Sequence, residues 1–261
     1  MSERTSYAPG TPSWVDLATP DLDAAIEFYG ELFGWDVPEH PNSAEMAGYR
    51  RARKGDADVA GMMPLMQEGA PTAWTTHVSV ADVDAAAAAV RESGGSVIAE
   101  PMDVMGWLKF GIFADPEGAV FGITQPLSFA GAERVNEVGT FGWNELNTRD
   151  PERAQEFYGA VFGWEFETVE FEGMGPYTNV KLSDGTAVGG LLDMRGRVPD
   201  EVPPHWLVYF GVAEIDAALE TVRGRGGQVS FGPVDIPAGR FAVVSDPWGA
   251  FFAAIQPAEE K

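Results

Sequence analysis

The sequence predicts an α+β protein made of two tandem copies, residues 1–130 and 131–261, each built from two βαβββ units. Three observations predict it. WVDLATPDLDAAIEFYGELFGW (14–35) and WNELNTRDPERAQEFYGAVFGW (143–164) agree at 12 of 22 positions without a gap. Further matches follow in the same order, ADVDAA (81–86) with AEIDAA (213–218) and DPEG (115–118) with DPWG (246–249). Within each copy, strand-like alternation gives way to helical periodicity and then returns, punctuated by Gly, Pro and Asp at matched places.

The elements read in order as follows. WVDLAT alternates like a half-buried strand. Asp21 is placed to cap a helix whose Ile26, Tyr29 and Phe33 share one face, and Gly34 sits where a left-handed stop is expected. In the second copy Asp150 precedes Pro151, the residue best suited to a first helical turn. FYGxxFGW is therefore a helix end, its stop and an aromatic entering the next segment, which by itself is packing. Residues 46–63 and 175–192 read as paired strands around KGDAD and SDGT. A second unit opens with WTTHVSV, continues with a helix over Asp82–Ser93 stopped at Gly94-Gly95, and ends in FGIFADPEGAVFGIT. Asp-Pro-x-Gly is a type I turn signal. Residues 126–139 form the linker between copies, and Pro-rich loops around 64–72 and at 199–204 join units within a copy.

Composition removes several function classes. The formal charge is −23, with −12 in residues 1–130 and −11 in the remainder, so acidity is diffuse. Such a surface repels phosphate backbones and anionic membranes, so neither nucleic acid nor a membrane is an expected partner. The absence of cysteine excludes disulfides, thiolate catalysis and Cys-ligated zinc. No signal peptide is visible at the start, and no apolar run reaches the ~18 residues of a span, so a cytoplasmic setting is expected. The glycine pairs follow helices and do not open them, so no dinucleotide fingerprint and no cofactor are expected.

The ordered set DLDAAIEFYGELFGW with DPERAQEFYGAVFGW, ADVDAAAAAVRESGG with AEIDAALETVRGRGG, and DPEG with DPWG resembles the vicinal oxygen chelate superfamily. That group includes glyoxalase I, bleomycin-resistance proteins and extradiol dioxygenases, and the resemblance spans essentially the whole chain. In particular it looks like two-domain actinobacterial proteins with glyoxalase-like or hydroxylase labels. The resemblance implies that the two units of each copy form a curved eight-stranded mixed sheet around a cavity. Enzymes of that group hold a divalent metal on its inner wall.

The ligand positions implied by the resemblance fall on Trp14, Gly61, Thr75 and Gly122 in the first copy, with a residue or two of register freedom at Thr75. In the second copy they fall on Trp143, Gly190, Leu207 and Ala253. None is a carboxylate or imidazole, so the usual metal site is expected to be missing from both copies. Only three histidines exist: His40 and His205 are placed in Pro-rich loops and His77 on a strand.

An aromatic lining is expected in its place. Trp14, Trp74, Tyr49 and Phe110 correspond to Trp143, Trp206, Tyr177 and Phe241. Trp14 and Trp143 are assigned to the cavity, with Tyr49 and Tyr177, whereas Trp74 and Trp206, one register step away, are assigned to the core. Asp16 and Glu145 share the face of the first-strand Trp. His77 corresponds to Tyr209, and Lys109 to Arg240. Asp16, His77 and Lys109 make the candidate catalytic set, and Glu145, Tyr209 and Arg240 join the ligand-binding set. The structural alternative pairs Asp16 with Lys109 and Glu145 with Arg240. Met62, Met63 and Met66 offer either a soft wall or core filler.

Two functions follow. One is metal-free sequestration of a small aromatic or amphipathic ligand, as in resistance-type proteins. The other is a metal-free enzyme, an isomerase, lyase or hydroxylase of a small oxygenated metabolite, with His77, Asp16 and Lys109 at its centre. The fused pair of copies is expected to be a monomer or to dimerise further.

Overall fold

The computed structural model describes residues 3–39, 46–67, 69–171 and 175–258. His40 lies outside them. The first copy runs β1 (Pro12–Thr19), α1 (Leu22–Phe33), β2 (Arg50–Lys54), β3 (Ala57–Pro64), β4 (Ala73–Ser79), α2 (Val83–Glu92), β5 (Ser96–Val104), β6 (Leu108–Ala114) and β7 (Val120–Pro126). The second runs β8 (Phe141–Thr148), α3 (Pro151–Phe162), β9 (Glu165–Phe171), β10 (Gly175–Lys181), β11 (Ala187–Asp193), β12 (His205–Gly211), α4 (Ile215–Gly224), β13 (Gln228–Ile236), β14 (Gly239–Ser245) and β15 (Phe251–Pro257). No described helix is long and apolar enough to cross a membrane.

Each copy makes one mixed sheet, in the orders β2-β3-β1-β4-β7-β6-β5 and β13-β14-β15-β12-β8-β11-β10-β9. The opening strands of the two units sit antiparallel at the centre, β1 beside β4 and β8 beside β12. The first sheet has seven strands where eight were expected. Where the second copy places β9, the described residues of the first make an isolated bridge between Asp36 and Arg53. The reason is local: EFETVEF alternates and carries every backbone donor, whereas Pro38 interrupts the corresponding stretch.

Caps follow the sequence signals. Asp21 accepts from the Ala24 amide at 3.2 Å, Asp150 from the Arg153 amide at 3.1 Å, and Gly34 takes φ 69° at the end of α1. His205 departs from the expectation, because it opens β12 and is not part of the preceding loop.

Both sheets curl with their helices on the convex side, and those sides meet. One core joins Phe28, Tyr29 and Phe33 of α1 to Phe210, Leu219 and Phe252 of the second copy. The other joins Val90 and Phe121 of the first copy to Phe157, Tyr158 and Trp206 of the second. The repeated FYGxxFGW octet explains itself here. Tyr29 donates to Asp246 of the second copy's Asp-Pro-x-Gly turn at 3.0 Å, and Tyr158 donates to Asp115 of the first at 3.1 Å. Trp74 and Trp206 each donate to the nearby Tyr hydroxyl, at 3.0 and 2.9 Å, which confirms both as core. The closing Trp residues also cross over, Trp35 to the Gly139 carbonyl at 2.6 Å and Trp164 to that of Gly10 at 2.7 Å.

Candidate functional site

The concave faces carry the candidate chemistry. On β1, Val15 and Leu17 are fully buried toward the helices, so alternation turns Trp14 and Asp16 inward. On β4, Trp74 and Val78 face the core, so Thr75 and His77 face the concavity. Pairing puts Trp14 opposite His77 and His77 opposite Gly122. The row expected at Thr75 therefore runs through His77, and Thr75 lies beside Asp16. In the second copy the same row runs Trp143, Tyr209, Ala253, while Glu145 lies between Gly190 and Leu207. The pairing runs unbroken from Trp14 to Ala18, so the two-residue difference falls within the register freedom that counting back from the helix leaves at Thr75.

In the first copy these side chains form one polar knot. Trp14 Nε1 donates to Asp16 Oδ1 and to the Tyr49 hydroxyl, both at 2.7 Å, and Tyr49 donates to Asp16 Oδ1 at 2.6 Å. His77 Nε2 stands 2.8 Å from Asp16 Oδ2, within ion-pair range. Neither ring nitrogen of this buried histidine has an aligned hydrogen-bond partner, so proximity rather than a directed bond is what the geometry offers. Burial, and then the Asp16 charge, push the Tyr49 hydroxyl well above the ordinary tyrosine value.

The second copy keeps the plan with different chemistry. Trp143 Nε1 donates to the Tyr177 hydroxyl at 2.8 Å, Tyr209 donates to Glu145 Oε2 at 3.1 Å, and Asn147 Nδ2 reaches Glu145 Oε1 at 3.3 Å. Glu145 is 4% exposed. Burial raises its carboxyl above the usual range, opposed by hydrogen bonds from Tyr177, Tyr209 and Asn147 and by the Arg197 charge. Leu207, Tyr209, Phe241 and Ala253 form an apolar cluster on this face, with Trp143, Val234 and Ile236 against it. Tyr209 and Phe241 stand 5.6 Å apart.

The glycines at the expected ligand positions make room for these knots. A Cβ on Gly61 would fall 1.9 Å from Asp16 Oδ1 and 2.0 Å from the Tyr49 hydroxyl. On Gly122 it would meet His77 Nδ1 at 2.0 Å, and on Gly190 the Tyr177 hydroxyl at 1.8 Å. A divalent metal needs three or four converging donors. The first copy brings together two, Asp16 and His77, with Oδ1 already taken by Trp14 and Tyr49, and the second brings only Glu145. Among the described residues no three His, Asp or Glu are placed to hold a metal ion, so the residues present do not fit such an ion.

Two expected members are elsewhere. Lys109 lies 3.7 Å from Asp84 and Arg240 lies 2.9 Å from Asp216, each pair bridging a strand to the first turn of its helix on the convex side. Lys109 shares its face with the core residue Phe113, and Arg240 with Ala242 and Val244, so strand alternation keeps both out of the cavities. The alternative pairs Asp16–Lys109 and Glu145–Arg240 are therefore not formed. Met62 is fully buried core and Met66 is 69% exposed, so neither makes a soft wall.

Three residues of the first cavity went unread in the sequence. Arg51, on edge strand β2, bonds Asp58 and lies 5.5 Å from the rings of both Trp107 and Phe129. Trp107 belongs to the β5–β6 turn at the opposite edge, so the contact closes the curl. Phe129, from the linker, meets Trp14 edge-on at 5.0 Å. The amides of Leu127, Ser128 and Phe129 all point at the Trp107 carbonyl, at 2.9–3.0 Å. Trp14 is left 3% exposed, while Trp143 remains partly open. The only sequence signal was the presence of large aromatics in turn and linker positions. A separate cleft of about 380 Å³ beside the start of α1 is lined by Asp21, Asp23, Arg50 and Pro64 and lies outside both concavities.

Comparisons agree with this architecture. The profile of the Glyoxalase/Bleomycin resistance protein/Dioxygenase superfamily matches residues 11–123 and 138–253. "Putative glyoxylase CFP32" of Mycobacterium tuberculosis is 40% identical over 265 residues, covering 100% of both chains. "Anthracycline biosynthesis protein DauV" of a Streptomyces species (strain C5) is 35% identical over 265 residues, covering 97% of this chain and 95% of its own. Among solved structures, the Mn(II)-bound glyoxalase from Novosphingobium aromaticivorans superposes with TM-score 0.61 at 17% identity, over 95% of this chain and 83% of that one. The 2,3-dioxygenase LapB from Pseudomonas sp. KL28 gives 0.64 at 14%, over 98% and 95%. At those identities the likeness shows the fold. The chain belongs to the Glyoxalase/Bleomycin resistance protein/Dioxygenase superfamily.

Proposed function

We propose that this is a metal-independent binding protein that sequesters a flat, largely apolar organic ligand on the concave face of its second copy. One observation carries the reading: Trp143, Tyr177, Tyr209 and Phe241 line a face whose polar centre is a single carboxyl, Glu145. Aromatic walls with few polar groups suit planar guests through stacking and area burial. The relative named for anthracycline biosynthesis supports a fused-ring aromatic as the guest class. Calorimetric titration with polycyclic aromatics tests it. Trp143→Ala should weaken binding by about 1–2 kcal/mol, and unchanged affinity would remove Trp143 from the site.

A second reading rests on the 2.8 Å approach of His77 to Asp16. There the first copy transfers a proton on a small oxygenated substrate as an isomerase or lyase, without Lys109. Phe129 covers Trp14, so this reading requires the linker to withdraw. Turnover lost in His77→Ala, with binding by the second copy intact, would favour it. Unaffected turnover would discard it.

A further inference from the structure

We infer that the guest of the second cavity is an organic cation, a protonated amine carried on a flat apolar skeleton. This rests on the ligand-binding reading above and names its ligand class.

The two copies share a plan and differ in charge. Each has an inward carboxyl on its first strand, held by a Trp–Tyr pair: Asp16 with Trp14 and Tyr49, Glu145 with Trp143 and Tyr177. The first copy also supplies a group able to carry positive charge, His77, 2.8 Å from the carboxylate. Strand pairing puts Tyr209 at the equivalent place, opposite Trp143 as His77 is opposite Trp14. Tyr209 donates a hydrogen bond to Glu145 but cannot neutralise it. Asn147 is neutral as well. Arg197 directs a guanidinium nitrogen to the Pro176 carbonyl at 3.2 Å and acts on Glu145 only through longer-range charge. No described Lys, Arg or His comes within ion-pair distance of Glu145.

A carboxylate that is 4% exposed and lacks a counter-ion is unfavourable. A guest ammonium would supply that missing charge, and the faces of Tyr209, Phe241 and Trp143 attract a cation further. The overall charge of −23 draws cations toward the molecule. The first copy already places its own histidine beside Asp16 and so lacks that need.

The test compares 1-naphthylmethylamine with 1-naphthylmethanol, matched in shape and differing in charge, by titration calorimetry near neutral pH. Wild-type protein should bind the amine at least about tenfold more tightly. Glu145→Gln should bring the two compounds within about twofold of each other, chiefly through a weaker grip on the amine. Tyr209→His, which gives the second copy the first copy's arrangement, should also narrow the gap, and it decides the matter should the Gln variant fail to fold. Equal affinities in wild type, or a preference that survives both substitutions, would overturn the inference. Failure of both compounds to bind would count against the ligand-binding reading itself and take the inference with it.

Discussion

Glycine residues decide the chemistry of both concavities. Gly61, Gly122 and Gly190 stand where a side chain would collide with Asp16, His77 or Tyr177, so each is a space reserved for a neighbour's polar atom. Gly190→Ala should displace the Tyr177 hydroxyl and cost about 1–3 kcal/mol, read as a lower unfolding temperature together with weaker ligand binding. Glu145 gives a second prediction at this scale. Its folded-state carboxyl is raised above the ordinary 4.5 by burial, so the native protein keeps that proton to higher pH than the unfolded chain. The resulting stabilisation is complete below about pH 4.5 and is lost as pH rises through the raised value. Glu145→Gln does not titrate, so its unfolding temperature should gain on wild type as pH climbs from about 4.5 toward neutrality. A pH series of thermal melts without ligand checks this, and a constant difference would contradict it. That inward polar residues share a face with Trp14 and Trp143 was legible from strand alternation. That Lys109 and Arg240 point the other way was not, because matching positions between copies shows correspondence and leaves the face undetermined.

At the scale of elements, the helices are joints between the copies. The apolar face of α1 was readable from Tyr29 and Phe33, but periodicity says only that a face is covered, not by what. The cover is the other copy, through Tyr29 with Asp246 and Tyr158 with Asp115. Tyr29→Phe leaves Trp74 Nε1 without its acceptor and removes one donor from Asp246. It should lower stability by about 1–2 kcal/mol in denaturant unfolding, and Tyr158→Phe should do the same on the opposite side. A loss in one variant only would contradict the pseudo-symmetry of the two joints. The edges of the first sheet were the least legible part. Arg51, Trp107 and Phe129 are far apart in sequence and meet only because the sheet curls, and a local pattern does not encode that meeting.

For the whole molecule, duplication gave two bodies that cannot be separated without exposing both cores. Residues 1–130 alone would uncover Phe28, Tyr29, Phe33 and Trp35, which pack on or near residues of the second copy. Expressed alone, that half should show no cooperative melt, and co-expression with 131–261 should restore a single transition. Duplication also allowed the copies to diverge in role. The first sets a histidine beside its acid, with Phe129 of the linker against Trp14, and the second buries its carboxyl without a counter-ion. The measurement that tests this division most directly is a calorimetric titration of a flat aromatic amine into protein exhaustively stripped with a chelator. The account predicts one guest per chain with affinity unchanged by the chelator. Binding that vanishes on chelation and returns with added manganese or iron would contradict it.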